Sequence, residues 1–127
     1  MSKEPIYTLS GPVHGAPYTP GVKVGDLVFI SGQIPLDPHT GVLVEGGFDA
    51  QVRQSISNLQ AILDQEGMTL DDIVKTTVFL ADLDNFAELN RVYGGYFTSI
   101  RPARSCVQVA RLPLDSLVEI EAIALKK

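Results

Sequence analysis

The 127-residue chain has one cysteine, Cys106, no tryptophan and only two histidines, His14 and His39, and each scarcity removes a class of chemistry. A lone cysteine cannot close an intrachain disulfide, which suits a reducing compartment. Neither histidine has a second ligand at metal-binding spacing, and His39 sits in the turn Asp37-Pro38-His39-Thr40-Gly41. Both therefore read as solvated surface residues, and no metal or other cofactor is expected. Basic residues are few as well, 10 against 15 acidic ones, for a net charge of −5 with no basic run. Phosphate-backbone binding rests on clustered Lys and Arg, so nucleic acid is not an expected partner. No apolar stretch approaches the roughly 18 residues of a membrane span, and Met1-Ser2-Lys3-Glu4-Pro5 lacks the apolar core of a signal peptide. No membrane partner is expected, and a cytoplasmic protein is. Gly46-Gly47 has no Gly-Lys-Ser/Thr after it and Gly-x-Gly-x-x-Gly occurs nowhere, which removes nucleotide-binding loops of those kinds.

What is present fits one domain over residues 1–127, long enough for a single core. Ile6 to Leu9 alternates weakly as a first strand, and Ser10 to Gly21 is too broken by proline and glycine for helix or central strand. Val22-Lys23-Val24, a Gly25-Asp26 turn and Leu27 to Ile30 read as a hairpin whose second strand is buried throughout and ends at Ser31-Gly32. Asp49 can cap a helix that runs to Glu66, with Val52, Ile56, Leu59 and Leu63 on one face and Gly67 as its stop. Ile73 to Ala81 forms the next strand. A second helix from Asn85 to Thr98 carries Phe86, Leu89, Tyr93 and Phe97 on one stripe, and Gly94-Gly95 in its last turns predicts close packing there. The order β-β-β-α-β-α-β-β predicts an α+β fold, a mixed sheet with both helices on one face. The other face is then bare, yet its strands are too apolar to meet water, so further subunits should bury it.

The last two strands carry the unusual residues. Arg104, Cys106 and Gln108 alternate onto one face of a strand, and Glu119 and Glu121 share a face of the next with Ile123. Pro113 to Ser116 supply turn residues between them. If the two strands pair through that turn, Glu119 lies just past it and Arg104 about nine residues before it, an offset of roughly 20 Å at about 3.3 Å per residue. One subunit could not then bring both to a small ligand. Cooperation between them would need a neighbouring chain.

Pro102-Ala103-Arg104-Ser105-Cys106-Val107, followed by Ala110, Leu112 and Val118-Glu119-Ile120, resembles the signature of the RidA/YjgF family of enamine/imine deaminases. Ala16-Pro17-Tyr18-Thr19, Ile30-Ser31-Gly32-Gln33-Ile34-Pro35 and Thr76-Thr77-Val78-Phe79-Leu80 running into Asp84 to Asn90 match it too, so the likeness covers nearly the whole chain. The resemblance implies a chorismate-mutase-like sheet, a homotrimer with clefts between neighbours, and hydrolysis of 2-iminobutanoate or 2-iminopropanoate to the 2-oxo acid and ammonia. Carried over by position, Arg104 would hold the substrate carboxylate, Glu119 would position or activate water, and Tyr18 would close the pocket. Ser31, Gly32 and Cys106 would line it. Pro20 departs from the glutamine of many relatives, at a place that bears on substrate preference. The chemistry suits the residues: arginine's planar fork fits a carboxylate, glutamate can take a proton from water, and a C=N carbon is already electrophilic. No His or Lys stands near Cys106 in sequence to activate its thiol, so a lining role is expected. Rival readings are a module that binds small carboxylates without turnover, a ribonuclease or translation inhibitor, and a chaperone-like role.

Overall fold

The computed structural model describes residues 2–8 and 16–127. Its elements follow the expected order: β1 (Lys3–Ile6), β2 (Gly21–Val24), β3 (Leu27–Gln33), α1 (Gly47–Asp64), β4 (Ile73–Leu80), α2 (Phe86–Tyr96), β5 (Ala103–Gln108) and β6 (Val118–Leu125). They build one mixed sheet in the order β1-β2-β3-β6-β4-β5. All neighbours are antiparallel except β4 and β5, which run parallel because α2 carries the chain back between them. Among the described residues no helix is long and apolar enough to cross a membrane.

Periodicity decides the layers. Val52, Ile56, Leu59, Ile62 and Leu63 recur at helical spacing along α1 and are all buried. They join Val28 and Ile30 of β3, Val78 and Leu80 of β4, and Val118 and Ile120 of β6 in one core. Each such side chain contributes roughly 1.5–3 kcal/mol of burial free energy. Leu89, Val92 and Tyr93 of α2 enter the same core, so both helices cover one face, as the element order requires. The opposite face is bare in the single chain: Leu27, Phe29, Val107 and Leu125 are 38–47 % exposed. Only alternate residues of β3 are therefore buried, Val28 and Ile30, rather than the whole run from Leu27.

Four local expectations are corrected. The strands β5 and β6 are not a hairpin, because β4 lies between them. The connection arches over the end of β4, where Val109 N–H donates to Leu80 O (2.9 Å) and Ala81 N–H donates to Leu117 O (3.1 Å). The first strand is Lys3–Ile6 and ends where Ile6 to Leu9 was expected to begin, because β1 pairs with β2 in a register that sets Ile6 against Gly21. Gly46, at φ 113°, takes the N-cap position of α1, and Asp49 sits inside the first turn, where it binds Arg53 and Arg91 instead of capping; the helix stops at Asp64, two residues short of Glu66. A Cβ on Gly94 would come no nearer than 3.9 Å to Arg101 and one on Gly95 would meet nothing, so no close packing calls for these glycines. His39 is exposed in its turn, and His14 lies outside the described residues.

Candidate functional site

Arg104 lies on the edge strand β5, opposite Thr76 of β4, with Cys106 opposite Val78. Thr76 and Val78 are buried beneath the helices, so Arg104 and Cys106 take the helix side at the margin of the sheet. There α2 supplies aromatic side chains. The Arg104 guanidinium carbon stands 5.0 Å from the centroid of the Tyr93 ring and 5.5 Å from that of Phe86. Both are within range of a cation–π attraction, worth about 0.5–2 kcal/mol each according to how far the pair is desolvated. The Tyr93 hydroxyl is itself held 2.7 Å from the Thr76 hydroxyl. Arg104 is half-buried, yet among the described residues no carboxylate pairs with it, whereas Arg53, Arg91 and Arg111 are each paired with an acid. A cation set on ring faces, with its in-plane donors unspent, is ready for an anion from outside.

Cys106 shares this margin without being activated by it. Burial pushes its thiol above the ordinary range, and the opposing pull of the Arg104 charge is the smaller effect. A protonated thiol is a poor nucleophile, in keeping with a lining role.

Glu119, Gly32, Ser31 and Tyr18 belong to the other side of the sheet. Glu119 pairs with Phe79, one residue out of phase with the buried row of Val118 and Ile120, which sends its side chain to the bare face. The pairing of β3 with β6 is interrupted between Ile30 and Gln33, a bulge that contains Ser31 and Gly32. Gly32 sits under the Glu119 side chain, and a Cβ there would collide with the carboxylate. Glycine at this position thus makes room for Glu119. It relieves crowding, as glycine in a strand often does, but the group accommodated is a candidate catalytic one. Ser31 ties the bulge to the Tyr18 loop: its hydroxyl donates to Thr19 O (2.7 Å) and its N–H to Pro20 O (2.9 Å). A cavity of about 620 Å³ opens beside this group, lined among others by Tyr18, Thr19, Ser31, Phe29, Thr77 and Glu121. Burial, and after it the like charge of Glu121, hold the Glu119 carboxyl above the usual glutamate range.

The structure therefore sorts the expected site residues into two groups. Arg104 and Cys106 stand together at the sheet margin, while Glu119 and Gly32 touch one another on the bare face near Ser31 and Tyr18. Arg104 lines up with Thr76 and Glu119 with Phe79, on strands separated by β4, so two strand spacings and three residues place their backbones about 14 Å apart. Their side chains also leave opposite faces. The two are apart within one chain, as expected, but by about 14 Å rather than the roughly 20 Å of a hairpin, and because β4 stands between their strands. Phe86, Tyr93 and Thr76 complete the arginine's surroundings, and sequence reading had placed the two aromatics only on a helix stripe. Among the described residues no three His, Cys, Asp or Glu side chains gather where they could hold a metal ion.

Comparison with known proteins gives this arrangement its context. Residues 8–126 match the model of the family described as Endoribonuclease L-PSP, which comprises the YjgF and RidA proteins. The chain belongs to this family. One family member, the 2-iminobutanoate/2-iminopropanoate deaminase of Salmonella typhimurium, is 50% identical over 130 residues, with 100% of both chains covered. Another, a RutC family protein of Pyrococcus abyssi, is 48% identical over 127 residues, again with 100% of both covered. The crystal structure of E. coli TdcF with bound serine has a TM-score of 0.89 at 45% identity, covering 98% of this chain and 99% of that one. The α+β architecture implied by the motifs is borne out at the level of the family fold. The family's names span imine deaminase, endoribonuclease and RutC protein, so the reaction has to be argued from the site.

Proposed function

We propose that this chain hydrolyses 2-imino acids to 2-oxo acids and ammonia, in clefts of a homotrimer where Arg104 of one subunit meets Glu119 of its neighbour. The observation that carries the reading is the half-buried Arg104 guanidinium, seated on two aromatic rings with no acid paired to it among the described residues. Such a group binds a carboxylate through its fork and presents the adjacent C=N carbon in a fixed direction. Glu119, its carboxyl held above the usual glutamate range by burial, accepts a proton from water in its ionised form as the oxygen bonds to that carbon and the C=N π pair moves to nitrogen. Nitrogen takes that proton from Glu119 to complete the carbinolamine; its hydroxyl then gives up a proton, relayed through Glu119 to nitrogen, as C=O forms and the C–N bond breaks, and ammonia and the 2-oxo acid leave. Tyr18, 56 % exposed on its loop, closes the cleft, while Ser31, Gly32 and Cys106 line it.

Two features support a neighbouring subunit. Arg104 and Glu119 leave opposite faces of the sheet, so in this reading a second copy brings them together. The bare face carries Leu27, Phe29 and Leu125, which a second and third copy would withdraw from water. Sedimentation at micromolar concentration is expected to give a trimer, and a monomer would overturn the assembly. The reaction itself is tested by coupling a threonine or serine dehydratase to the protein and following the imine. Faster loss of imine with matching ammonia release is expected, and an unchanged rate would refute deamination.

The pH dependence carries a sign. Because the Glu119 carboxyl is raised, the acid limb of kcat/KM lies above the ordinary glutamate value of about 4.3. Glu121→Gln removes the smaller of the two causes and moves that limb a little to lower pH; a limb left in place would leave burial as the whole cause. A second reading has one observation in its favour, the serine bound to TdcF. In that case the Arg104 site holds small carboxylates without turnover, and ligand binding without faster ammonia release would select it. A ribonuclease reading has the net charge of −5 against it.

A further inference from the structure

Arg104 needs something to aim it. An unpaired arginine side chain has many rotamers, and a carboxylate anchor works only if its fork faces one way. Arg53, Arg91 and Arg111 are each held by an acid, but at Arg104 an acid would occupy the donors that the substrate requires. A ring face attracts the charge without accepting the in-plane N–H groups. Of the two rings near Arg104, only one is fixed. Phe86 is 39 % exposed at the start of α2, whereas Tyr93 is 5 % exposed and held on two sides. Its hydroxyl bonds that of Thr76, which is wholly buried, and its ring lies 4.4 Å from that of Phe97 at an interplanar angle of 34°. Thr76 is also the residue opposite Arg104 across the β4–β5 pairing, so one strand position locks the ring that faces its own neighbour.

We infer that Tyr93 is a positioning residue for Arg104: its ring, locked by the Thr76 hydroxyl, aims the guanidinium at the substrate carboxylate without neutralising it. The inference rests on the reading of Arg104 as the carboxylate anchor. It also explains why a tyrosine stands where phenylalanine would fill the core equally well. Without the phenol, the buried Thr76 hydroxyl would lose its partner and the ring its lock.

The test compares Tyr93→Leu, Tyr93→Phe and the double variant Tyr93→Phe/Thr76→Val in the intact protein, with two readouts. The first is the NMR order of the Arg104 Nε–H group, taken without substrate. The second is the split between KM and kcat for imine hydrolysis. Tyr93→Leu removes the ring face and is expected to free the Arg104 signal and raise KM about tenfold. Tyr93→Phe keeps the ring face but loses the lock, and is expected to fall between wild type and Tyr93→Leu, with KM raised about threefold and the signal partly loosened. The double variant removes both hydroxyls together and orphans neither, so it keeps the fold even where Tyr93→Leu does not; loss of the lock alone is expected to raise KM about threefold and loosen the signal. An Arg104 signal equally ordered in wild type and in the folded variants, with KM unchanged, would overturn the inference. Wild-type protein that does not hydrolyse the imine would strike the deaminase reading instead, and the substrate-free NMR readout would still decide the role of Tyr93.

Discussion

Arg104→Ala is expected to abolish imine hydrolysis, lowering kcat/KM by about 100- to 10,000-fold, since it removes two hydrogen bonds to a charged group at roughly 1.5–3 kcal/mol each. The loss should fall on function alone. Arg104 makes no ion pair with a described residue, and the buried ring of Tyr93 beneath it keeps its own contacts with Thr76 and Phe97. Circular dichroism and sedimentation of the variant should therefore match wild type. Arg104→Lys should be nearly as damaging, because an ammonium keeps the charge and loses the planar fork. Retained activity in the alanine variant would remove the anchor from this account.

Glu119→Gln should leave binding and remove turnover. In the proposed reaction Arg104 grips the substrate's carboxylate and Glu119 takes the proton, so KM is expected to change little, while kcat falls by about 100- to 10,000-fold. Glutamine has nearly the shape of glutamate, so the space above Gly32 stays filled and the bulge in β3 keeps its form. Titrating the variant with 2-oxobutanoate separates the two effects. Wild-type affinity with no turnover supports the assignment, and undiminished kcat contradicts it.

Much of this was legible in the chain, and the reasons differ by residue. Period 2 placed Arg104 with Cys106 and Glu119 with Glu121, because strand pleating follows from the backbone alone. The stripe Val52, Ile56, Leu59, Leu63 gave α1 its buried face on the same ground, and the count of two helices against so many apolar strands anticipated the bare face. Partner choice was not legible. The turn at Pro113 to Ser116 has the residues of a hairpin, but a turn carries no information about which strand its flanks will join; here β6 sits between β3 and β4, and β5 takes the edge. Without that order, nothing linked Tyr93 on its helix stripe to Arg104 on its strand. Gly32 could be suspected from its place at a strand end, but its service to Glu119 depends on a register across two strands far apart in sequence.

The central claim is that each reaction centre draws its cation from one subunit and its carboxylate from the next. It is tested most directly by unfolding inactive Arg104→Ala and inactive Glu119→Gln together and refolding the mixture. If the two groups come from different subunits, random trimers regain intact pairs at about a quarter of the sites, and about a quarter of wild-type activity returns. If one chain supplied both groups, every site would lack one of them and the mixture would stay inactive.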